Sequence, residues 1–332
     1  MPLKSLEICA GAGGQALGLE KAGFEHVCLV EIDKFACGTL RLNRPKWNVL
    51  QCDLKEFSAK DFIGIDLLAG GVPCPPFSKA GQQLGKQDDR DLFPTAIRLV
   101  SECRPRAVML ENVRGLLDNK FSKYREWLVS KFSKIGYIGE WKLLNASEFT
   151  VPQLRPRAIF VAFSIEEEIN FTWPKPSSIP PLNVGDALFD LMSSSEWKHA
   201  NNWREQANNI APTLVGGSKK HGGPDLGPTR ARNAWKSLGV NGTGIADEPP
   251  DRNFVGFPKL TLRMTARLQG FPDEWKFNGG KTAAYRQIGN AFPPPVALAV
   301  GCQIKRALLN HEQSKNEGIR ENAIKEKTAV WC

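Results

Sequence analysis

The sequence predicts an α/β protein: a sheet covered by helices on both faces, followed by a smaller irregular domain. Three observations carry this expectation. Leucine-rich or β-branched runs alternate with helix-like segments through the first half of the chain, and continuous apolar strands belong to sheets buried on both faces. Acidic residues recur where those runs end. From Trp173 to Gly256 the chain becomes rich in Pro, Gly, Asn and Ser, and its periodicity fades.

The elements follow in order. Leu3 to Cys9 reads as a strand entering a Gly-rich turn, and Gln15 to Ala22 as a helix stopped by Gly23. His26 to Val30 is a second strand closed by Glu31 and Asp33, and Asn48 to Cys52 a third closed by Asp53. Ile65 to Ala69 is a fourth, running into Gly70-Gly71-Val72-Pro73-Cys74-Pro75-Pro76. Pro94 to Cys103 has helical spacing, with a proline tolerated at its start. Ala107 to Leu110 is a fifth strand ended by Glu111, and Ala158 to Phe163 a sixth. Open α/β sheets place their chemistry beyond the carboxyl ends of the strands, where Glu31, Asp53, Cys74 and Glu111 all fall. Order returns from Thr261 to Phe271. Pro295 to Leu309 is an amphipathic helix, with Val296, Val300, Ile304, Ala307 and Leu308 on one face. The tail beyond Asn310 is polar and charged and is expected to be a frayed helix or disordered.

Composition narrows the class of function. The 332 residues suffice for a large domain and a smaller one. No run of eighteen apolar residues exists, so no membrane span is expected, and the amino terminus lacks the apolar core of a signal peptide. The eight cysteines form no CxxC pair and no Cys/His cluster. Buried free thiols in a reducing compartment, with no structural zinc, are the expectation. A net charge of +9 favours a nucleic-acid partner.

Two loops carry candidate chemistry. Gly11-Ala12-Gly13-Gly14-Gln15-Ala16 follows a strand and opens a helix, fitting G-x-G-x-x-G/A with Glu31 at the end of the next strand. Glycines let a ligand approach the backbone, and the acid can accept from both ribose hydroxyls. The pattern suits a nicotinamide dinucleotide and S-adenosylmethionine equally. Asp53 can accept from an adenine amino group, which favours a nucleoside. Cys74 sits in a loop whose glycines permit a sharp turn and whose prolines limit its motion. Such a loop suits a nucleophile held over a cleft, or a purely structural turn.

Taken together, GGVPCPPFSKAG at Gly70–Gly81, ENV at Glu111–Val113, QLRPR at Gln153–Arg157, RLQGFPD at Arg267–Asp273 and YRQIGNAFPP at Tyr285–Pro294 resemble, in order and separation, the motif blocks of the bacterial DNA cytosine-5 methyltransferases. The resemblance spans about residues 3–165 and 257–309. It implies a Rossmann-like methyltransferase fold with a mixed sheet and a target-recognition domain. The expected division is 1–173 for catalysis and cofactor, 174–284 for target recognition with a hinge block at 261–273, 285–310 returning to the first domain, and 311–332 as a flexible tail. It also implies methyl transfer from S-adenosylmethionine to C5 of a flipped cytosine in a specific duplex sequence. The expected catalytic residues are Cys74, attacking C6, Glu111 at N3 and the exocyclic amine, Arg157 at the pyrimidine carbonyl and the Cys74 loop, and Arg155, ordering that region and nearby phosphate. The expected cofactor residues are Cys9, Ala10, Gly11, Gly13, Gly14, Glu31, Ile32, Asp53, Leu54, Pro73, Leu92, Asn290 and Ala291. Arg267 and Gln269 would brace the hinge. A monomer in the bacterial cytoplasm, acting at the nucleoid and paired with a restriction endonuclease, fits the same family.

Two positions depart from its pattern. Val72-Pro73-Cys74-Pro75 replaces the usual PPCQ, and Cys9 stands where a phenylalanine usually meets adenine. Two rivals remain open at this level: a nicotinamide-dependent oxidoreductase, which leaves Cys74 and QLRPR without a task, and a tRNA cytosine-5 methyltransferase of the same fold.

Overall fold

The computed structural model describes residues 2–73, 91–167, 169–216 and 223–329. The large domain runs β1 (Leu3–Ile8), α1 (Gly14–Ala22), β2 (Phe24–Glu31), α2 (Lys34–Asn43), β3 (Val49–Gln51), β4 (Leu67–Gly71), α3 (Phe93–Cys103), β5 (Ala107–Val113), α4 (Ser122–Lys134), β6 (Tyr137–Asn145) and β7 (Pro156–Ser164). These strands form one sheet in the order β3-β2-β1-β4-β5-β7-β6. β1 to β5 are parallel, and β7 inserts antiparallel between β5 and β6. The strand order reverses between β1 and β4, the switch point at which such sheets open a crevice.

Alternation along the central strands divides the core between two faces. Leu68, Val108, Leu110 and Phe160 pack with Phe93, Leu99 and Phe132 of α3 and α4. Their neighbours Leu67, Ala69, Met109, Ile159 and Val161 pack on the other face with Leu19 of α1 and with Val300 and Ile304. Glu111 and Asn112 thus lie inside β5, which runs three residues past the predicted end at Leu110. Asp33 does not merely close β2. Its carboxylate caps α2 by accepting from the N–H groups of Phe35 and Ala36.

The smaller part contains α5 (Val184–Met192), α6 (Ala200–Gln206) and α7 (Thr229–Ser237); α8 (Leu262–Leu268) and α9 (Lys281–Asn290) follow, and α10 (Pro294–Ala329) returns to the large domain. Trp197, Trp203 and Trp235 centre its core, which also takes in Met264, Leu268 and Tyr285. The Arg267 guanidinium pairs with Asp190 and Asp273 and so ties α8 to α5. α10 packs against α1: a Cβ on Gly18 would stand 2.5 Å from Ala297 Cβ and from Pro294 O. Its backbone stays helical to Ala329, through the stretch expected to be a flexible tail. No helix among the described residues is long and apolar enough to cross a membrane.

Candidate active site

A cleft of about 460 Å3 opens along the carboxyl ends of the parallel strands. The Gly-rich turn forms one wall. Gly11 and Gly13 take positive φ of 55° and 83°, conformations that side chains other than glycine rarely adopt. This turn places the amino end of α1 at the cleft. Gly14 sits so close to α9's exit that a Cβ would stand 2.2 Å from Phe292 O.

Glu31 ends β2 beside this turn. Its Oε2 accepts from Gly11 N at 2.7 Å and its Oε1 from Asp33 N at 2.8 Å. These bonds fix the carboxylate while leaving each oxygen a further lone pair. Burial pushes its pKa up, and the N–H donors of Asp33 and Gly11 oppose that. Asp53, beyond β3, accepts from Lys55 N at 2.9 Å and also faces the cleft. Ile32 is 61% exposed, an apolar side chain at the rim suited to lie against a ring.

Every expected cofactor residue except Gly13 lines this cleft: Cys9, Ala10, Gly11, Gly14, Glu31, Ile32, Asp53, Leu54, Pro73, Leu92, Asn290 and Ala291. Gly13 turns away. A Cβ there would meet Leu40 at 2.7 Å and Trp275 at 3.0 Å, so packing and the turn require the glycine. Burial, reinforced by the charges of Glu31, Asp53 and Glu7, pushes the Cys9 thiol far above its usual range, so it remains a neutral, apolar wall. Glu7, Gln15, Arg286, Gln287 and Phe292 also line the cleft and were not among the expected residues. The one available signal was Glu7, a carboxylate set between Leu6 and Ile8 near the end of β1.

At the far end of the cleft stands Glu111. Its Oε1 meets Arg157 Nε at 2.8 Å, across the β5–β7 ladder that pairs Val113 with Arg157. Burial pushes Glu111 up, opposed by the positive charges of Arg157 and Arg155, and the same burial pushes Arg157 down. Asn112 donates to Val72 O at 2.8 Å, holding β4's exit beside Glu111. Cys74 lies outside the described residues, as do Pro75, Lys219, Lys220 and His221. Of the described residues that flank 74–90, Pro73 and Leu92 meet at the cleft, where Leu92 N donates to Pro73 O at 3.2 Å.

Arg155, expected to order this region and nearby phosphate, is fully buried. It donates instead to Leu214 O at 2.7 Å, Gly289 O at 2.6 Å and Ala291 O at 3.0 Å. One planar guanidinium thus binds the sheet, the small domain and the α9 exit. Beside it Gly216 and Gly289 cross, with a Cβ on Gly289 falling 2.4 Å from Gly216 N. Gln153 and Gln269 continue the joint: Gln153 Nε2 donates to Gln269 Oε1 at 2.9 Å.

The topology and the carboxylates along it define an α/β enzyme that takes a nucleoside-bearing cofactor. Comparison with known proteins carries this further. The C-5 cytosine-specific DNA methylase family matches residues 3–306. The type II methyltransferase M.NgoMIV of Neisseria gonorrhoeae is 58% identical over 311 residues, covering 93% of this chain and 99% of that protein. The type II methyltransferase M.NaeI of Lentzea aerocolonigenes is 53% identical over 324 residues, covering 96% and 78%. Among solved structures, a DNA modification methyltransferase encoded within an E. coli prophage superposes with a TM-score of 0.66 at 24% identity, over 92% of this chain and 99% of that one. The S. pombe Dnmt2 methyltransferase does so at 0.63 and 19%, over the same shares, and both likenesses bear on the fold alone.

The chain belongs to the C-5 cytosine-specific DNA methylase family. It transfers a methyl group from S-adenosylmethionine to C5 of cytosine in DNA. The cleft fits that cofactor: Glu31 holds a carboxylate beside the Gly-rich turn where it can accept from a ribose, and Ile32 offers an exposed apolar face at the rim.

Proposed function

We propose that this chain is the modification enzyme of a type II restriction–modification pair, methylating one cytosine in a specific duplex sequence through a covalent bond from Cys74 to C6. The observation that carries the reading is the buried Glu111–Arg157 pair at one end of the cleft, opposite Glu31 and Asp53. C5 of cytosine is a weak nucleophile. Addition of a thiolate at C6 turns C5–C6 into an enamine that can attack an electrophilic methyl. Glu111, pushed up by burial, offers a proton at N3 and drains charge from the ring as the thiolate adds. Arg157, held by Glu111, faces the pyrimidine carbonyl. S-adenosylmethionine supplies the methyl group when bound, with Glu31 holding its ribose, Asp53 its adenine amine, and Leu92, Ile32 and Cys9 walling the ring. Loss of the C5 proton then expels Cys74. None of these atoms is reachable in a stacked duplex, so the base must leave the helix.

The recognition region falls within Pro174 to Pro258, where Arg230 and Arg232 lie on α7 and Lys219, Lys220 and His221 on an adjoining segment. Cations of this kind suit phosphate and groove contacts. Partnership with a restriction endonuclease accords with the type II methyltransferases it resembles. The protein acts as a monomer in the bacterial cytoplasm. Mapping 5-methylcytosine in DNA and RNA from cells expressing the chain tests the reading. Methylation at one recurring DNA sequence is expected, whereas unmodified DNA with methylated RNA overturns it.

A further inference from the structure

Cys74 follows two successive peptide carbonyls that the large domain holds. Val72 O accepts from Asn112 Nδ2 at 2.8 Å, and Pro73 O accepts from Leu92 N at 3.2 Å. Asn112 is the neighbour of Glu111 on β5. Leu92 leads into α3, and both it and Pro73 line the cleft. The place of Leu92 is set in turn by Asp91, whose carboxylate is 7% exposed. Asp91 Oδ1 accepts from Phe93 N, the first N–H of α3, at 3.1 Å. Asp91 Oδ2 accepts from the Tyr124 hydroxyl at 2.7 Å. Tyr124 stands on α4 and does not line the cleft. One line of hydrogen bonds therefore runs from α4 to the peptide that Cys74 follows.

Capping a helix takes one oxygen of a carboxylate. The second oxygen decides how the carboxylate is turned, and with it the chain that carries it. Tyr124 takes that second oxygen from a ring whose place is set by packing. The ring stacks on Trp127 with centroids 5.6 Å apart and meets Phe93 edge-on at 6.2 Å. A phenol bonded to a carboxylate is a charge-assisted pair, short and strong. We infer that Tyr124 is a positioning residue for the reaction, an inference that rests on Cys74 as the attacking group. Acting through Asp91, it sets the Leu92–Pro73 bridge, and so both the peptide to which Cys74 is joined and the cleft wall at Leu92. Tyr124 touches no reacting atom. Its contribution is geometric, and a displacement of about 1 Å at reacting groups can cost about a hundredfold in rate. Loss of one hydroxyl behind the wall moves the bridge by less, so a loss of about tenfold is expected.

Two matched variants of the full chain test this. Tyr124→Phe removes the hydroxyl and keeps the ring. Tyr137→Phe removes a phenol hydroxyl that donates to Pro105 O at 2.6 Å, at the amino end of β5, from the same core. The measurement is the rate at which each protein becomes attached to 5-fluorocytosine DNA, with DNA and S-adenosylmethionine raised until the rate no longer changes. Tyr124→Phe is expected to slow attachment about tenfold, while Tyr137→Phe attaches as fast as the wild type. Both lose one hydrogen bond and should melt slightly lower, so stability alone does not separate them. Because the phenol acts through Asp91, Asp91→Ala combined with Tyr124→Phe should be no slower than Asp91→Ala alone. Attachment of Tyr124→Phe at the wild-type rate, equal slowing of the two phenylalanine variants, or additive losses in the double variant would each overturn the inference. A wild-type protein that forms no adduct would instead remove Cys74 from the chemistry, and the inference with it.

Discussion

At the residue scale, burial drives Glu31 and Glu111 toward their neutral forms. Glu111 is held by Arg157 at 2.8 Å, and Glu111→Gln keeps an acceptor for that guanidinium while losing the acid. Turnover is expected to fall by at least about a hundredfold, the usual share of a general acid, with little change in the melting temperature. Single-turnover kinetics and calorimetry check both halves, and a mutant as fast as wild type would remove Glu111 from the chemistry. Cys74 gives a sharper test. DNA with 5-fluorocytosine at the target cannot lose the C5 substituent as a cation, so the enzyme should remain attached after methyl transfer. The adduct should survive denaturation and map to the Cys74 peptide, and Cys74→Ser should abolish it. Attachment through another cysteine would overturn the mechanism. Glu7 makes a separate prediction about stability. Its carboxyl is pushed up from 4.5 to about 8 by burial, so the folded state prefers the protonated acid. That contribution is fully present below about pH 4.5 and is lost as pH rises through about 8. Relative to Glu7→Gln, the wild type should lose on the order of a few kcal/mol between these limits. Urea unfolding of both proteins at pH 5 and 8.5 reads the difference, and parallel profiles would contradict it.

At the element scale, the packing of α10 on α1 is the joint most exposed to test. Gly18 has backbone and side chain of α10 within 3 Å of where a Cβ would stand. Gly18→Val should therefore destabilise by about 1–3 kcal/mol or more through overpacking, seen as a lower urea midpoint. Truncation after Ile288 removes Gly289, two acceptors of Arg155 and the whole of α10, and should abolish cofactor binding. Truncation after Glu312 keeps the Arg106–Glu312 ion pair and should be nearly silent. A soluble, active product of the first would show that α10 is dispensable. The elements also show what local pattern can and cannot reveal. β4 and β5 were legible because both faces are buried and apolar residues run without break at their start, and β1 because Leu6 and Ile8 lead straight into the Gly-rich turn. β6 was not: it is an edge strand whose Ile138, Glu140 and Lys142 alternate with half-buried positions, a pattern shared with loops. α2 hid behind Gly38 and a short length, although its cap Asp33 was in view. In the site, Glu31 and Asp53 were visible as acids after strands. The inward turn of Arg155 was not, because its meaning depends on segments up to 136 residues away.

At the scale of the whole molecule, the sheet and the region proposed for recognition meet at one joint. Arg155 binds Leu214 O and Gly289 O, and the Gly216–Gly289 crossing admits no side chain. Exchange of residues 174–258 for the corresponding region of an enzyme with another target should move methylation to that target. The chimera should be active where the graft preserves a glycine at the position of Gly216. Sequencing of 5-methylcytosine sites in the host DNA gives the answer, and an active chimera that keeps the original site would place recognition elsewhere. If the proposed division holds, Gly216→Val in the unaltered chain should impair both DNA and cofactor binding, since a Cβ there would meet Asn290 and Arg286 O.

The pairing of α1 with α10 also bears on how the protein is made. Residues 14–22 leave the ribosome long before residues 294–308, the partners that cover their apolar face. At ordinary rates of protein synthesis the interval is on the order of tens of seconds. Throughout it Leu19, Ala22 and one face of the sheet await their cover, a demand that falls on chaperones in the crowded cell. The same delay works as a safeguard. A chain that ends before Gly289 lacks two acceptors of Arg155 and the turn that lines the cleft, and is expected to leave DNA unmarked.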